Sequence, residues 1–250
     1  MRRAANLVAL LLVLGLNGAA ASGAMSGNSI GVIANQYRSL FLPANYVFGI
    51  WSVIYLGLIA SVVYQLLPTD GSRRAVLHLG PWWMVSCALN IAWISLFSFA
   101  QFGLALLVMV IFLLSLIAVG ERVRHNGELS LRDRLLVVWP QDLYLAWISV
   151  ALIANSFQFA QVVGWNGAGL SEATWSVAMM GVATLLGVVM AWGKGNWIFP
   201  LVVAWAVRGI GVRYADVPAL ANPAGWLVPI GLASGAVAWI VGHRRLSLRR

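Results

Sequence analysis

The chain has 250 residues, of which 61% are hydrophobic and only 9% charged. A soluble domain carries roughly a quarter of charged residues, so this chain lacks a polar coat and its surplus apolar surface must face lipid. The net charge of +9 is gathered in short Arg clusters between apolar stretches, which fits loops at lipid headgroups and argues against nucleic acid as a partner.

Apolar runs near the length of about 20 residues that spans a bilayer fall at 6–24, 45–67, 81–101, 103–121, 136–160, 174–193, 196–213 and 224–243. Helices are the only choice for them, because lipid cannot satisfy the backbone of an open strand. The expected fold class is therefore all-α: a polytopic transmembrane bundle of about eight spans. The first run also reads as a signal peptide: Arg2 and Arg3, an apolar stretch from Leu7 to Leu16, then small residues from Ala19 to Ala24. On either reading Met25 to Ala44 lies outside.

The breaks carry turn and charge signals: Pro68–Asp70–Gly71, Gln101–Gly103, Arg122 to Arg134, Gly164 to Gly169, Gly193–Lys194–Gly195, and Asp216 to Pro223. With the N-terminus inside, the inner segments hold Arg2, Arg3, Arg73, Arg74, Arg122, Arg124, Arg132, Arg134, Lys194, Arg244, Arg245, Arg249 and Arg250. Of the 16 basic residues only Arg38, Arg208 and Arg213 fall elsewhere. That asymmetry places both termini in the cytoplasm, in a membrane expected to be the bacterial inner membrane.

Cysteine and histidine exclude more chemistry. Cys87 is the single Cys, and His78, His125 and His243 lie far apart, so no metal site is expected. The 13 Trp are the compositional oddity. Interfacial anchoring accounts for Trp82, Trp165, Trp175, Trp197 and Trp226, near the expected helix ends. It fits Trp51, Trp93 and Trp147 less well, because these lie a turn or two inside their spans.

In the third span Asn90, Trp93 and Phe97 share one helical face. In the fifth Trp147, Ala151 and Asn155 do the same, with Tyr144 alongside, and in the second Trp51 and Tyr55 stand one turn apart. Intramembrane Asn avoids lipid, so these faces should point inward. Two readings fit: Asn as interhelical glue with Trp as core filler, or a cavity walled by aromatic rings with a few polar groups to orient a ligand.

Here the chain resembles a family. Pro43-Ala44-Asn45-Tyr46-Val47-Phe48-Gly49-Ile50-Trp51-Ser52-Val53-Ile54-Tyr55 is similar to the second-helix signature of the TspO/MBR family, the tryptophan-rich sensory and translocator proteins. Leu89-Asn90-Ile91-Ala92-Trp93-Ile94-Ser95-Leu96-Phe97 matches that family's third helix, and Tyr144-Leu145-Ala146-Trp147 with Ala151 and Asn155 resembles its fifth. The second helix has one residue fewer between Gly49 and Trp51 than the family usually shows, and Gln141, Asp142 and Leu143 separate Pro140 from Tyr144. Members commonly have five spans. The resemblance therefore implies a five-helix core over 1–160 and three additional transmembrane helices over 161–250.

The resemblance implies a pocket for porphyrins, haem-like tetrapyrroles or sterols, with no cofactor required. Trp51, Asn90, Trp93 and Trp147 would line it, Tyr55, Phe97, Ala151 and Asn155 would lie nearby, and Pro43 and Tyr46 would shape the rim. A planar macrocycle stacks on Trp faces, and Arg38 would meet a propionate. Sterol is less supported, since the forward cholesterol-type pattern is absent. The protein is expected to be a sensor or carrier, partnered by the bilayer and a hydrophobic small molecule, with a homodimer left open. A secondary transporter and a light-dependent porphyrin-modifying protein are the alternatives. No nucleophile–base pair or carboxylate dyad supports conventional catalysis. A retinal photoreceptor is disfavoured, because Lys194 sits between glycines in a loop.

Two ionisable residues fall inside spans. Asp142 lies roughly 140° around its helix from Trp147 at the usual helical pitch, and Arg208 lies in the seventh span. An ion pair between them is expected to dock the added helices. Gly231 and Gly235 should allow close packing of the last helix.

Overall fold

The structure, a computed structural model, describes residues 1–125 and 129–247. Arg249 and Arg250 lie outside the described residues, as do the side chains of His125, His243, Arg244 and Arg245. In chain order the helices are α1 (Arg2–Ser22), α2 (Ile30–Gln36), α3 (Ile50–Leu66), α4 (Asp70–Ser98), α5 (Phe102–His125), α6 (Leu131–Asp133), α7 (Trp139–Val162), α8 (Glu172–Lys194), α9 (Ile198–Arg213) and α10 (Pro218–Ser247). A 3₁₀ turn, Asn45–Gly49, leads into α3, and a π-helical turn, Arg134–Val138, joins α6 to α7.

Helices form over all eight expected spans. Seven are long and apolar enough to cross a membrane by length and composition, counted over the described residues. The exception is α9, a helix of 16 residues. At about 1.5 Å per residue it covers roughly 24 Å, short of the ~30 Å hydrocarbon core. Rows of large apolar side chains stand exposed on the long helices, among them Leu104, Leu107, Ile111 and Leu114 on α5. Water would not tolerate such a surface, and lipid is its natural solvent.

Local chemistry sets the helix ends. Thr69 and Ser72 form a reciprocal capping box at the start of α4, and Ser171 accepts from the backbone N–H of Thr174 at the start of α8. Inside α4 the backbone breaks at Gly80, with φ 60 and ψ −159, just before Pro81. Proline cannot donate to the helix ladder, and only glycine enters this backbone region readily. The expected span 81–101 is thus the second limb of α4, and Arg73 and Arg74 ride on the first.

The chain divides into two compact units. One comprises Met1–Arg38 with Ile50–Ile148, the other Ser39–Gly49 with Ser149–Arg250. The division falls within α7, between Ile148 and Ser149.

In the first unit α4 packs against α5, α1 and α3. The buried stripe of α1 is Asn6, Leu10, Val13, Asn17 and Ala20, alternately four and three residues apart. Such a stripe makes one continuous helical seam. Gly57 of α3 faces Pro140 of α7, where a Cβ would lie 3.1 Å from the proline ring.

In the second unit α8, α9 and α10 pack on one another. At Gly231 a Cβ would stand 2.9 Å from the Pro200 carbonyl oxygen, and at Gly235 it would stand 2.6 Å from Leu201. The two glycines therefore do let α9 and α10 approach closely, as their spacing suggests.

Gly80→Ala forces a Cβ into a glycine-only conformation beside the Arg122 guanidinium, whose Nε is 2.9 Å from the Cβ position. It is expected to lower stability by about 1–3 kcal/mol, read from the unfolding midpoint in detergent. Gly18→Ala, in open helical surroundings with no neighbour within 4 Å, should leave that midpoint unchanged or raise it.

Candidate functional site

The first unit brings the aromatic faces of α3, α4 and α7 onto one indole. Trp51 stacks on Tyr55 with ring centroids 5.5 Å apart and planes 22° apart, and on Trp93 at 5.8 Å and 22°. It makes T-shaped contacts with Tyr144 and Trp147, each at 6.1 Å, with planes 75° and 86° apart. Trp93 and Trp147 are buried, whereas Trp51 is only half-buried. From Trp93 the rings continue to Phe97 at 5.8 Å, then to Phe102 at 5.2 Å and Tyr37 at 4.8 Å. Offset and edge-on contacts of this kind are the arrangements that ring quadrupoles favour.

A buried polar chain runs beside the rings. Asn17 of α1 donates from Nδ2 to Oδ1 of Asn90 on α4 at 2.7 Å, and to its own Val13 carbonyl at 2.8 Å. Asn90 then donates to the Tyr144 hydroxyl of α7 at 2.9 Å. Asn90 is fully buried. Tyr144 belongs to both networks, since its ring also meets the edge of Phe112 at 5.4 Å. Asn6 of α1 donates to Gln65 of α3 at 2.6 Å, which ties a further helix to α1.

Of the residues expected at a pocket, Trp51, Tyr55, Asn90, Trp93, Phe97 and Trp147 gather in this unit. Pro43, Tyr46, Ala151 and Asn155 belong to the other unit. Asn155 is buried and donates to the Ala151 carbonyl one turn back, at 2.9 Å. Tyr46 packs edge-on against Trp205 of α9 at 5.2 Å. The Pro43 carbonyl accepts from Arg213 at 3.1 Å, and the Val47 carbonyl accepts from the Trp205 indole at 3.1 Å. Tyr214 donates to the Ser39 carbonyl at 2.7 Å. The segment Ser39–Gly49 is therefore held by the end of α9, and Gly209 makes the fit: a Cβ there would lie 2.2 Å from Val47 and 3.1 Å from Pro43. Arg38 is exposed.

A family model described as TSPO-like protein matches residues 3–239. The chain belongs to the TSPO-like family. No curated protein and no solved structure matches it. The matched span extends past residue 160, so it takes in α8, α9 and most of α10 of this TSPO-like protein as well as the motif-bearing helices.

Asp142, one member of the expected ion pair, finds a partner within its own unit, while Arg208 belongs to the other unit. Asp142, buried in the first turn of α7, accepts a hydrogen bond from Arg124 of α5 in a direct ion pair. The reason lies in helix length. The sequence places Arg124 in a loop, but α5 continues helical to His125 and carries the guanidinium beside the carboxylate. Arg208 is exposed on α9. Asn17 was also outside the expected set. Its signal in the sequence is the spacing of Asn6, Leu10, Val13 and Asn17 along one helical face.

Asp142→Asn and Arg124→Gln should each destabilise this TSPO-like protein, because one leaves the half-buried guanidinium and the other the buried carboxylate without its partner. The double replacement should cost less than the sum of the two, with a coupling of about 0.5–3 kcal/mol. Unfolding of the four proteins in detergent gives that coupling directly, and strict additivity would remove the pair from the account. Asn17→Leu should cost ~0.6–1.7 kcal/mol, the range for interhelical hydrogen bonds in membranes, measured the same way.

Proposed function

We propose that this TSPO-like protein binds a flat hydrophobic ligand of the tetrapyrrole class at the rings around Trp51, and that it works as a sensor or carrier rather than as an enzyme. One observation carries the reading. Trp51 lies nearly parallel to both Tyr55 and Trp93, while Tyr144 and Trp147 pack against it in T-shaped contact. A planar macrocycle settling beside the half-buried Trp51 joins a stack that already exists, so few side chains need to be ordered on binding. The Tyr144 hydroxyl accepts from Asn90 and keeps its own proton to donate to a polar edge.

The same proposal places the protein in the bacterial cell membrane with both termini in the cytoplasm, on the strength of the basic clusters in alternate loops. That orientation also requires α9 to traverse, which its length permits only with local thinning of the bilayer or help from flanking side chains.

Protoporphyrin and haem, added to the purified protein, are expected to bind with roughly micromolar or tighter affinity, about 8 kcal/mol. Binding should shift the ligand's absorbance and quench Trp fluorescence. Trp147→Ala should weaken it about three- to tenfold, the equivalent of ~0.5–1.5 kcal/mol for one aromatic contact. Equal affinity in the variant would place the ligand elsewhere. Flux of a bound ligand across proteoliposomes separates a carrier from a sensor.

A further inference from the structure

The second unit holds a cavity that the ring cluster does not use. It opens between the last turns of α7, the loop after them and the first turns of α8, with a volume of about 340 Å³. That is the size of a small-molecule site. Phe157, Leu170 and Met179 supply apolar wall, and Trp165 and Trp175 form a corner with ring centroids 5.4 Å apart and planes 50° apart. The corner is preorganised, because the Trp175 indole N–H donates to the Gly167 carbonyl at 2.8 Å. Among the described residues, Glu172 is the only ionisable one lining the cavity. One carboxylate oxygen accepts the Leu40 backbone N–H at 2.6 Å, which fixes the group while leaving its charge unneutralised by any basic side chain in the lining.

Two indoles and one carboxylate around an apolar space attract a particular chemistry. The faces of Trp rings carry negative potential that draws cations, most strongly alkylated ammonium groups that shed water easily. The carboxylate adds a full negative charge and repels anions. We propose that this cavity binds an alkylated ammonium group carried on an apolar body, independently of the tetrapyrrole reading. The ammonium has two sources: a soluble organic cation, or the choline headgroup of a lipid.

The test uses the full-length protein in nanodiscs of phosphatidylglycerol, which offers no ammonium. Benzyltrimethylammonium is titrated by calorimetry beside its uncharged carbon isostere, neopentylbenzene. Saturable binding of the cation, at least tenfold tighter than the isostere, is expected. Glu172→Gln keeps an acceptor for the Leu40 N–H but removes the charge, and should weaken cation binding at least tenfold. Trp165→Leu, at an exposed position, should do the same, with circular dichroism and elution volume unchanged in both. Equal binding of cation and isostere, or unchanged binding in either variant, overturns the proposal. Dihexanoyl phosphatidylcholine then separates the sources: displacement of the cation assigns the site to a headgroup, and failure to displace it assigns the site to a soluble cation.

Discussion

The hydrogen-bonded chain from Asn17 through Asn90 to the Tyr144 hydroxyl is the constraint on which the first unit depends. In hydrocarbon a carboxamide has no water to fall back on, so each of these groups must find its partner in another helix. Three helices are thereby fixed in both depth and rotation. Turning α7 enough to carry Trp147 away from Trp51 would also withdraw Tyr144 from Asn90. The ring cluster and the polar chain hold each other because Tyr144 is a member of both. Lipid tails and Leu side chains are alike, so apolar residues gain little by leaving lipid for protein, whereas the amides gain a partner that lipid cannot offer.

Much of this was legible in the amino-acid order. The intervals from Asn90 to Trp93 to Phe97, and from Trp51 to Tyr55, put rings on one face by helical geometry alone, and those faces do meet. The family resemblance carried by the same residues is the family the chain belongs to. The misses share a physical cause, which is that sequence reading assigns side chains by where a helix is thought to stop. Arg124 looked like loop because charge is a turn signal, yet its helix runs through it and delivers the charge to Asp142. Asn17 was hidden for the opposite reason. The run containing it also reads as a leader, and a leader pattern of basic, apolar and small residues does not say which face is buried. Gly80 and Pro81 were visible as residues, but the break they make in α4 needs the backbone angles to be seen.

The second unit answers a different question, namely what the C-terminal helices hold. Gly209 and the donors of Trp205, Arg213 and Tyr214 secure the backbone that enters α3, and much of that contact runs to main-chain carbonyls. Sequence patterns report side chains, so a surface built to receive carbonyl oxygens leaves little trace beyond a glycine and some polar tips. The compact units accordingly do not follow chain order, and Ser39–Gly49 is grouped with helices that come much later.

That grouping bears on how the protein is made. The donors for Ser39, Pro43 and Val47 lie 158 to 175 residues downstream of the carbonyls they bond. At about 5–20 residues per second of synthesis, the segment waits on the order of ten seconds or more for them to emerge. A ribosome stalled or a transcript cut after the fifth long helix leaves those carbonyls bare. The backbone of Ser39–Gly49 finds these donors only once α9 has been made.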